Sequence, residues 1–157
     1  MVYPLVPFFL TAALGASPAV LGLIEGLAES VASLLKVFSG WISDRIGKRK
    51  GLTIIGYVAG AMGKLLLALA SGWGMVLTAR VVDRLGKGVR GAPRDALIAD
   101  SAHEGKRGAA FGLHRMLDTW GAVLGVAIGY WFFTRMPGEY ARVFLLALVP
   151  AALGVLL

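Results

Sequence analysis

Cysteine is absent from this 157-residue chain, so neither a disulfide framework nor a thiolate metal site can be built from it. Charge is also scarce, because only 16% of the residues are Asp, Glu, Lys or Arg, against about 25% in an average soluble domain. Acidic residues are the rarer sign: nine stand against sixteen Lys and Arg, which gives a formal net charge of +7. These shortages disfavour both a disulfide-rich secreted domain and an ordinary soluble one.

Hydrophobic residues make up 57% of the chain, and 22 residues are Gly, which lets helices approach closely in lipid. In a soluble chain a charge of +7 would favour nucleic acid as a partner. Here the cations gather in short stretches between apolar runs, so we expect a lipid bilayer as the partner and no nucleic acid. The sequence contains no recognisable cofactor motif or metal motif, and we expect neither kind of site.

Six apolar segments follow one another along the chain. Their approximate bounds are 2–14, 19–43, 51–70, 75–90, 109–133 and 140–157. Ser17 is a candidate N-cap for the second segment, with Pro18 at the first helical position. The first segment is shorter than the ~20 residues of a membrane span. We therefore expect an all-α integral membrane protein, a single bundle of about six transmembrane helices over 1–157 with truncated first and last helices, and hence a fragment.

Basic residues mark alternate connections between these segments. Four Lys or Arg residues lie in 45–50 and four more in 90–107, whereas the turns at 15–18 and 71–74 have none. Because Lys and Arg concentrate on the cytoplasmic side of membrane proteins, the basic connections are predicted to be cytoplasmic. The predicted cytoplasmic loops are about 44–50 and 92–108. We expect a multi-pass protein of a bacterial cytoplasmic (inner) membrane.

The first basic stretch, 40–50, has a defined pattern and is called the 40–50 motif below. It reads Gly40-x-x-x-Asp44-Arg45-x-Gly47-Lys48-Arg49. It resembles the loop between helices two and three of major facilitator superfamily (MFS) transporters, Gly-x-x-x-Asp-Arg-x-Gly-Arg-Arg/Lys, and a merely basic loop would not require Asp44. The resemblance implies the amino-terminal six-helix half of such a transporter, in which Asp44 and Arg45 gate the cytoplasmic side. Candidate partners of Asp44 are Arg90 and Arg94.

One face of the second segment is small or polar along its length. Glu25, Glu29 and Lys36 fall within about 40° of arc on a helix. Ionisable groups within a span are costly unless they face a cavity or a partner. Two interpretations stay open: a structural Glu–Lys network between helices, or a lining of the transport path in which Glu25 or Glu29 carries a proton.

The fourth segment carries a second polar face, formed by Arg80, Asp83, Arg84 and Lys87. Three cations to one acid make a lipid-facing position unfavourable. The face predicts either a structural network of Asp83 with Arg80 and Arg84 or a transport path.

The stretch from Arg84 to Ala92 resembles the MFS fourth-helix motif, Arg-x-x-Gln-Gly-x-Gly-Ala-Ala. By this resemblance Arg84 is the buried arginine linked to proton coupling. Lys87 replaces the usual Gln and Arg90 replaces a small residue, which suggests either an anionic solute or further salt bridges. Residues 86–96 are also similar to a Gly-Lys-Gly-x-Arg-x-x-Pro-Arg-Asp-Ala stretch found in one bacterial subgroup of the superfamily.

The fifth segment is rich in glycine and predicts close helix packing. The residues expected to take part are Gly112, Asp118, Gly121, Gly125 and Gly129. The spacing Gly112-x8-Gly121-x3-Gly125 resembles the start of the antiporter motif of drug/proton exporters. Val126 and Tyr130 depart from the rest of that motif, so we expect helix packing rather than drug export. His114 lies one turn before Asp118 and could pair with it. Lys64 in the third segment has no partner that the sequence identifies.

These observations predict part of a secondary active transporter that moves a small solute by alternating access, with protons as a possible coupling ion. The alternative is a non-transporting, truncated or half-size membrane module that needs its missing C-terminal half or a second chain. A membrane phosphotransfer enzyme using Asp83, Asp95 and Asp100 to hold Mg²⁺ is disfavoured, because these acids are interleaved with Arg. The protein is therefore not expected to be an enzyme.

Overall fold

The computed structural model describes residues 3–103, 105–136 and 138–156, which are helical throughout apart from turns and contain no strand. The helices are α1 (Leu5–Phe8, continued by a π-helical turn at Phe9–Ala13), α2 (Pro18–Ile46), α3 (Arg49–Ala68), α4 (Trp73–Ser101), α5 (Arg107–Arg135), α6 (Tyr140–Leu146) and α7 (Leu148–Leu156). Val2 and Leu157, the outer bounds of the first and last predicted segments, lie outside the described residues. The prediction of an all-α protein is confirmed, and α6 with α7 occupies the sixth segment.

The ends of α2 follow the local sequence. The hydroxyl oxygen of Ser17 accepts a hydrogen bond from the backbone N–H of Val20 at 3.4 Å, and Pro18 opens the helix. Gly47 ends it with φ +68°, and its N–H donates to the Ser43 carbonyl at 3.0 Å. Because a left-handed φ is costly for residues with a Cβ, Gly47 sets the turn into α3.

Two helix boundaries differ from the predicted ones. Helix α4 continues through Pro93 to Ser101, so the first part of the predicted cytoplasmic loop at 92–108 is helical. A proline removes one helical hydrogen bond, and the helix-forming residues that follow it sustain the remaining turns. The sixth segment is interrupted at Ala147, where the ring of Pro150 would clash with the carbonyl four residues earlier in a continuous helix.

Helices α3 and α4 meet backbone to backbone. A Cβ on Gly56 would lie 2.6 Å from the Cβ of Arg90 and 2.7 Å from the carbonyl oxygen of Gly86. A Cβ on Gly63 would lie 2.7 Å from the backbone nitrogen of Asp83. Such small-residue contacts are a principal source of helix association in lipid. Among the glycine contacts that the structure describes, the closest are those between α3 and α4.

Two of the glycines on α5 that predict close packing, Gly112 and Gly121, make no close helix contact within the described residues. A Cβ on Gly112 or Gly121 would meet nothing within 4 Å. Gly129 is buried, Gly125 is half-buried and Asp118 is exposed. The glycine spacing creates a groove on α5, but in the described part of the chain no helix fills it at Gly112 or Gly121.

Small side chains also line the contact between α2 and α4. Ala28, Ala32 and Ser39 are buried there, and a Cβ on Gly88 would lie 2.8 Å from the carbonyl oxygen of Ala32. The Ser39 hydroxyl donates to the carbonyl of Gly88 at 2.9 Å. This is a buried side-chain hydrogen bond that ties the two helices together.

Replacing Ser39 by alanine is expected to lower the free energy of unfolding by about 0.5–1 kcal/mol, the usual size of one interhelical hydrogen bond in a membrane protein. The matched control is Ser30→Ala on the same helix, because the exposed Ser30 hydroxyl donates only to Gly26 of its own helix. Denaturation of both variants in detergent micelles measures the difference. Equal losses in the two variants would show that the contact with α4 adds nothing.

An apolar core occupies the end of the bundle at which the uncharged connections lie. It includes Val6 and Leu10, Ile24 near the start of α2, Val76 near the start of α4, and Phe144 of α6. Phe9 packs edge-to-face on Phe144 with ring centroids 5.5 Å apart. The basic connections and the 40–50 motif therefore lie at the opposite end.

Two described helices, α3 and α5, are long and apolar enough to cross a membrane. Only 28% of the most apolar stretch of α3 and 6% of that of α5 are buried, so neither resembles the core helix of a soluble protein. Helices α2 and α4 have 29 residues each but carry the charged faces described below. The exposed apolar side chains, such as Val37 and Trp120, suit contact with lipid or with another helical unit.

Candidate functional site

The centre of the site is an ion pair between Arg80 of α4 and Glu25 of α2. The Arg80 Nε and Nη2 atoms donate to the two Glu25 carboxylate oxygens at 2.7 and 2.6 Å, a bidentate geometry. The Arg80 side chain is only 5% exposed and that of Glu25 27% exposed. The two polar faces predicted on the second and fourth segments therefore meet each other.

The next turn repeats this arrangement nearer to solvent. Arg84 Nε lies 3.2 Å from a carboxylate oxygen of Glu29, and Arg84 Nη2 lies 3.8 Å from Glu25. The Arg84 Nε atom is buried and makes no well-directed hydrogen bond, so the contact is an ion pair only. Lys87 Nζ lies 3.7 Å from Glu29, and both of these side chains are half exposed. The pairing weakens along α4 towards the basic end of the bundle.

A second pair joins α3 to α4 beside the first. Lys64 Nζ donates to Asp83 Oδ1 at 3.1 Å and to the Gly60 carbonyl at 3.1 Å. Arg80 Nη1 is 3.9 Å from the other Asp83 oxygen, so Asp83 connects the two pairs. Lys64, whose partner the sequence left undecided, therefore belongs to the network.

The lack of a side chain at Gly60 makes room for three charged groups. A Cβ there would lie 3.0 Å from Arg90 Nη1, 3.6 Å from Asp83 Oδ1 and 3.9 Å from Lys64 Nζ. The charged ends of side chains from two helices thus converge above a bare patch of α3 backbone.

These side chains face a cavity of about 530 Å³ between α3, α4, α5 and the last helix, within the usual size range of small-molecule sites. Its charged lining residues are Lys64, Arg80, Asp83, Arg84 and Arg90. Much of the remaining wall is apolar, including Leu67, Leu124 and Ile128. The cavity therefore combines a cationic wall on α3 and α4 with an apolar wall opposite.

Lys36 does not join the acids with which it shares a face. It makes no ion pair with any residue in the described ranges, and its aliphatic carbons lie beside Gly91, the nearest 3.7 Å from where a Cβ would stand. The seven residues from Glu29 to Lys36 carry it two turns away along α2. The predicted face is correct in angle, but Lys36 lies too far along the helix to pair with Glu25 or Glu29.

The 40–50 motif is joined to α4 through Arg49. Arg49 Nη2 lies 3.4 Å from Asp44 Oδ1, and Arg49 Nη1 donates to Asp100 near the end of α4. The prediction that Arg90 and Arg94 pair with Asp44 is wrong. Arg90 points to α3, with its guanidinium 4.6 Å from the centre of the Tyr57 ring, and Arg94 pairs with Asp95 at 3.0 Å.

The other members of the motif have structural contacts. The guanidinium of Arg45 lies 5.4 Å from the centre of the Trp41 ring, a cation–π contact on the same helix. A Cβ on Gly40 would lie 3.4 Å from the Cβ of Ala92, so a small residue fits there. Lys48 precedes α3 and forms a surface groove with Gly47 and Arg49.

The acids considered for Mg²⁺ binding do not converge. Asp83 pairs with Lys64, Asp95 with Arg94, and Asp100 with Arg49. Each carboxylate is thus held by a cation rather than by another acid, which is not the arrangement of a metal site. The predicted pair of His114 and Asp118 is not made, since His114 Nε2 is buried without a hydrogen-bond partner among the described residues.

Two tyrosines of the cavity wall were not anticipated from the sequence. The Tyr3 ring centre lies 5.4 Å from the guanidinium of Arg80 and 5.6 Å from that of Arg84, and Tyr57 lies against Arg90. An isolated tyrosine near a chain end has no pattern that would reveal such a contact. For α3, the spacing of Gly56 and Gly60 was a usable signal, because small residues four apart mark a close helix approach.

A bundle of helices with ion pairs buried on its polar faces and apolar side chains on its outside is the architecture of a polytopic integral membrane protein. A family model described as Major Facilitator Superfamily matches residues 1–157. The chain belongs to the major facilitator superfamily.

Curated relatives agree with this assignment. An uncharacterised MFS-type transporter of Methanocaldococcus jannaschii is 36% identical over 149 residues, which are 95% of this chain and 37% of that protein. The multidrug resistance protein MdtH of Photorhabdus laumondii is 33% identical over 157 residues, 98% of this chain and 39% of that protein. The chain thus spans less than two fifths of the length of these relatives.

Proposed function

We propose that these residues form the amino-terminal six-helix half of a secondary transporter that moves a small organic solute across the membrane by alternating access. In such transporters the solute site lies near the midplane of the bilayer, between two related halves that rock against each other. The name of one relative, a multidrug resistance protein, supports an organic solute.

One observation carries this proposal: a cavity of about 530 Å³ is lined by Arg80, Arg84, Lys64 and Asp83, which lie within long helices rather than in the connections between them. Ionisable groups at such a depth are costly and are typical of substrate and ion pathways. The pairing of Arg80 with Glu25 offsets part of this cost but does not require a cavity beside it. A purely structural network of ion pairs would be expected to pack without leaving a cavity beside it.

Uptake by the full-length protein in proteoliposomes tests the proposal. A panel of radiolabelled organic acids, amines and neutral compounds is added with and without a pH gradient. We expect saturable accumulation of at least one compound above protein-free vesicles. Saturable uptake of none of them, by protein shown to be folded, would contradict transport.

The 40–50 motif is proposed to stabilise one end state at the cytoplasmic side. Its basic residues place it there by the positive-inside rule, and Arg49 joins Asp44 of α2 to Asp100 of α4. This contact fixes the helix ends at the cytoplasmic edge of the proposed half, where the second half would close against it.

Asp44→Asn is accordingly expected to reduce the transport rate several-fold, because it removes one carboxylate of this contact while keeping the size of the side chain. The measurement is initial uptake of the compound identified above. Asp95→Asn is the matched control, since Asp95 pairs only with its neighbour Arg94 among the described residues. Undiminished flux in Asp44→Asn would refute the gating role.

Proton coupling is proposed to use the carboxylates of Glu25, Glu29 and Asp83. Their joint replacement by Gln, Gln and Asn is expected to abolish accumulation driven by a pH gradient while solute exchange at equal pH continues, because exchange needs no net proton movement. Comparing the two assays separates coupling from folding. Gradient-driven accumulation that survives the triple replacement would place coupling elsewhere.

A further inference from the structure

One cation of the cavity wall differs from the others in its partners. Arg80 is held by Glu25, Arg84 by Glu29 and Lys64 by Asp83. Arg90 has no carboxylate within 4.0 Å of its guanidinium among the described residues, although it lines the same cavity.

The contacts that Arg90 does make leave most of its donors unused. Its guanidinium lies 4.6 Å from the centre of the Tyr57 ring, and Nη1 donates to the Gly56 carbonyl over a long 3.5 Å. A guanidinium has five N–H donors in a planar fork. The side chain is therefore oriented by Tyr57 and Gly56 and still has most of its fork available.

The position of Arg90 is set by the tight contact between α3 and α4. Its Cβ stands 2.6 Å from where a Gly56 Cβ would be, so α3 and α4 fix the root of the side chain. A Cβ on Gly60 would lie 3.0 Å from Arg90 Nη1, so the bare backbone there accommodates the head group. The Arg90 guanidinium is thus held in one position before any ligand binds.

Much of the remaining wall of the cavity that Arg90 lines is apolar. Leu124 and Ile128 of α5 and Pro150 of α7 line the same cavity. A guanidinium binds a carboxylate in a bidentate manner. The one positive charge of Arg90 balances the single negative charge of a carboxylate, whereas a doubly charged phosphate would keep one charge uncompensated beside the apolar wall.

We propose that Arg90, oriented by Tyr57, is the anion-binding subsite of the cavity, and that the solute is a monoanionic organic acid with an apolar body. The carboxylate binds the guanidinium fork, and the hydrocarbon part lies along α5 and α7. This inference rests on the proposed function, because it names the class of solute that the proposed transporter carries.

Binding of 1-naphthoate and its neutral analogue 1-naphthamide to the full-length protein in detergent micelles tests the subsite without requiring transport. The wild-type protein is expected to bind the acid at least about tenfold more tightly than the amide, the effect of one charge-assisted contact. Arg90→Gln is expected to remove this preference, and Arg90→Lys to retain part of it. Arg94→Gln is the matched control, because Arg94 lies one turn along α4 and pairs with Asp95.

Equal affinity of the wild-type protein for the acid and the amide, or a preference that survives in Arg90→Gln, would overturn the inference. The second variant, Arg90→Lys, separates loss of the subsite from loss of the fold, since it keeps the charge. Saturable uptake of amines or neutral compounds without a preference for the acid would overturn the subsite and leave transport intact. Acid binding that depends on Arg90 in a protein that transports nothing would support the subsite and contradict the proposed function.

Discussion

Replacing Arg80 by methionine is expected to lower the free energy of unfolding by about 3 kcal/mol, the lower end of the range for breaking a buried ion pair. The loss arises because the Glu25 carboxylate would keep its place beside α4 without its bidentate partner. The lower end applies since Glu25 is 27% exposed and Arg84 remains 3.8 Å away. Denaturation of the purified protein in mixed micelles measures the change.

Lys87→Met is the matched control for Arg80→Met. It removes a cation from the same face of α4, but both partners of its ion pair are 53% exposed, and such exposed pairs contribute about 0–1 kcal/mol. The double variant Glu25→Gln, Arg80→Met should regain part of the lost stability, because it leaves no unpaired charge. Equal losses in Arg80→Met and Lys87→Met would show that burial of the pair does not determine its contribution.

Gly86→Ala is expected to destabilise the protein by about 3 kcal/mol or more, since overpacking a tight contact costs roughly 1–3 kcal/mol and sometimes exceeds this. A Cβ at this position would collide with the carbonyl oxygen of Gly56 and lie 2.8 Å from the backbone nitrogen of Gly60. Backbone atoms cannot move aside as the end of a flexible side chain can. Helices α3 and α4 would therefore separate, and the cavity residues on them would separate too.

Gly51→Ala is the control, because a Cβ at Gly51 on α3 would meet nothing within 4 Å. Alanine is a better helix former than glycine by about 1 kcal/mol, so this variant should be as stable as the wild type or slightly more stable. Denaturation in mixed micelles measures the free energy of unfolding of both variants, which is expected to fall in Gly86→Ala and to stay equal or rise in Gly51→Ala. A Gly86→Ala protein with unchanged stability would contradict the backbone contact between α3 and α4.

Much of the fold could be predicted from hydropathy and glycine, proline and charge patterns. Ser17 and Pro18 marked the start of α2, and the apolar segments correspond to the described helices. The end of α4 could not be predicted, because Pro93 suggests a helix end and is nevertheless tolerated inside this one. Pro93 costs one hydrogen bond and a clash of its ring with the carbonyl of Val89, and the contacts of α4 with α2 and α3 offset this cost.

The helix faces that carry the candidate site could be predicted from the sequence, but the ion pairs between these faces could not. Helical angle placed Glu25 and Glu29 on one side of α2 and Arg80 and Arg84 on one side of α4. Which acid meets which cation depends on the axial offset of the two helices, and this offset is set by small-residue contacts such as Gly88 with Ala32. The same offset explains why Asp44 meets Arg49 instead of the predicted arginines of α4.

We expect the charged faces to enclose a water-accessible cavity within the membrane. Residues 1–157 contain no cysteine. Single cysteines can therefore be introduced at Ile128 or Ala151 on the cavity wall and at Val37 on the outside of α2. The protein used is the full-length protein, cleared of any other cysteine. The measurement is the rate of reaction of these cysteines with a charged, membrane-impermeant methanethiosulfonate. The cavity positions should react and Val37→Cys should not, whereas equal rates at all three positions, or reaction at Val37→Cys alone, would contradict the cavity.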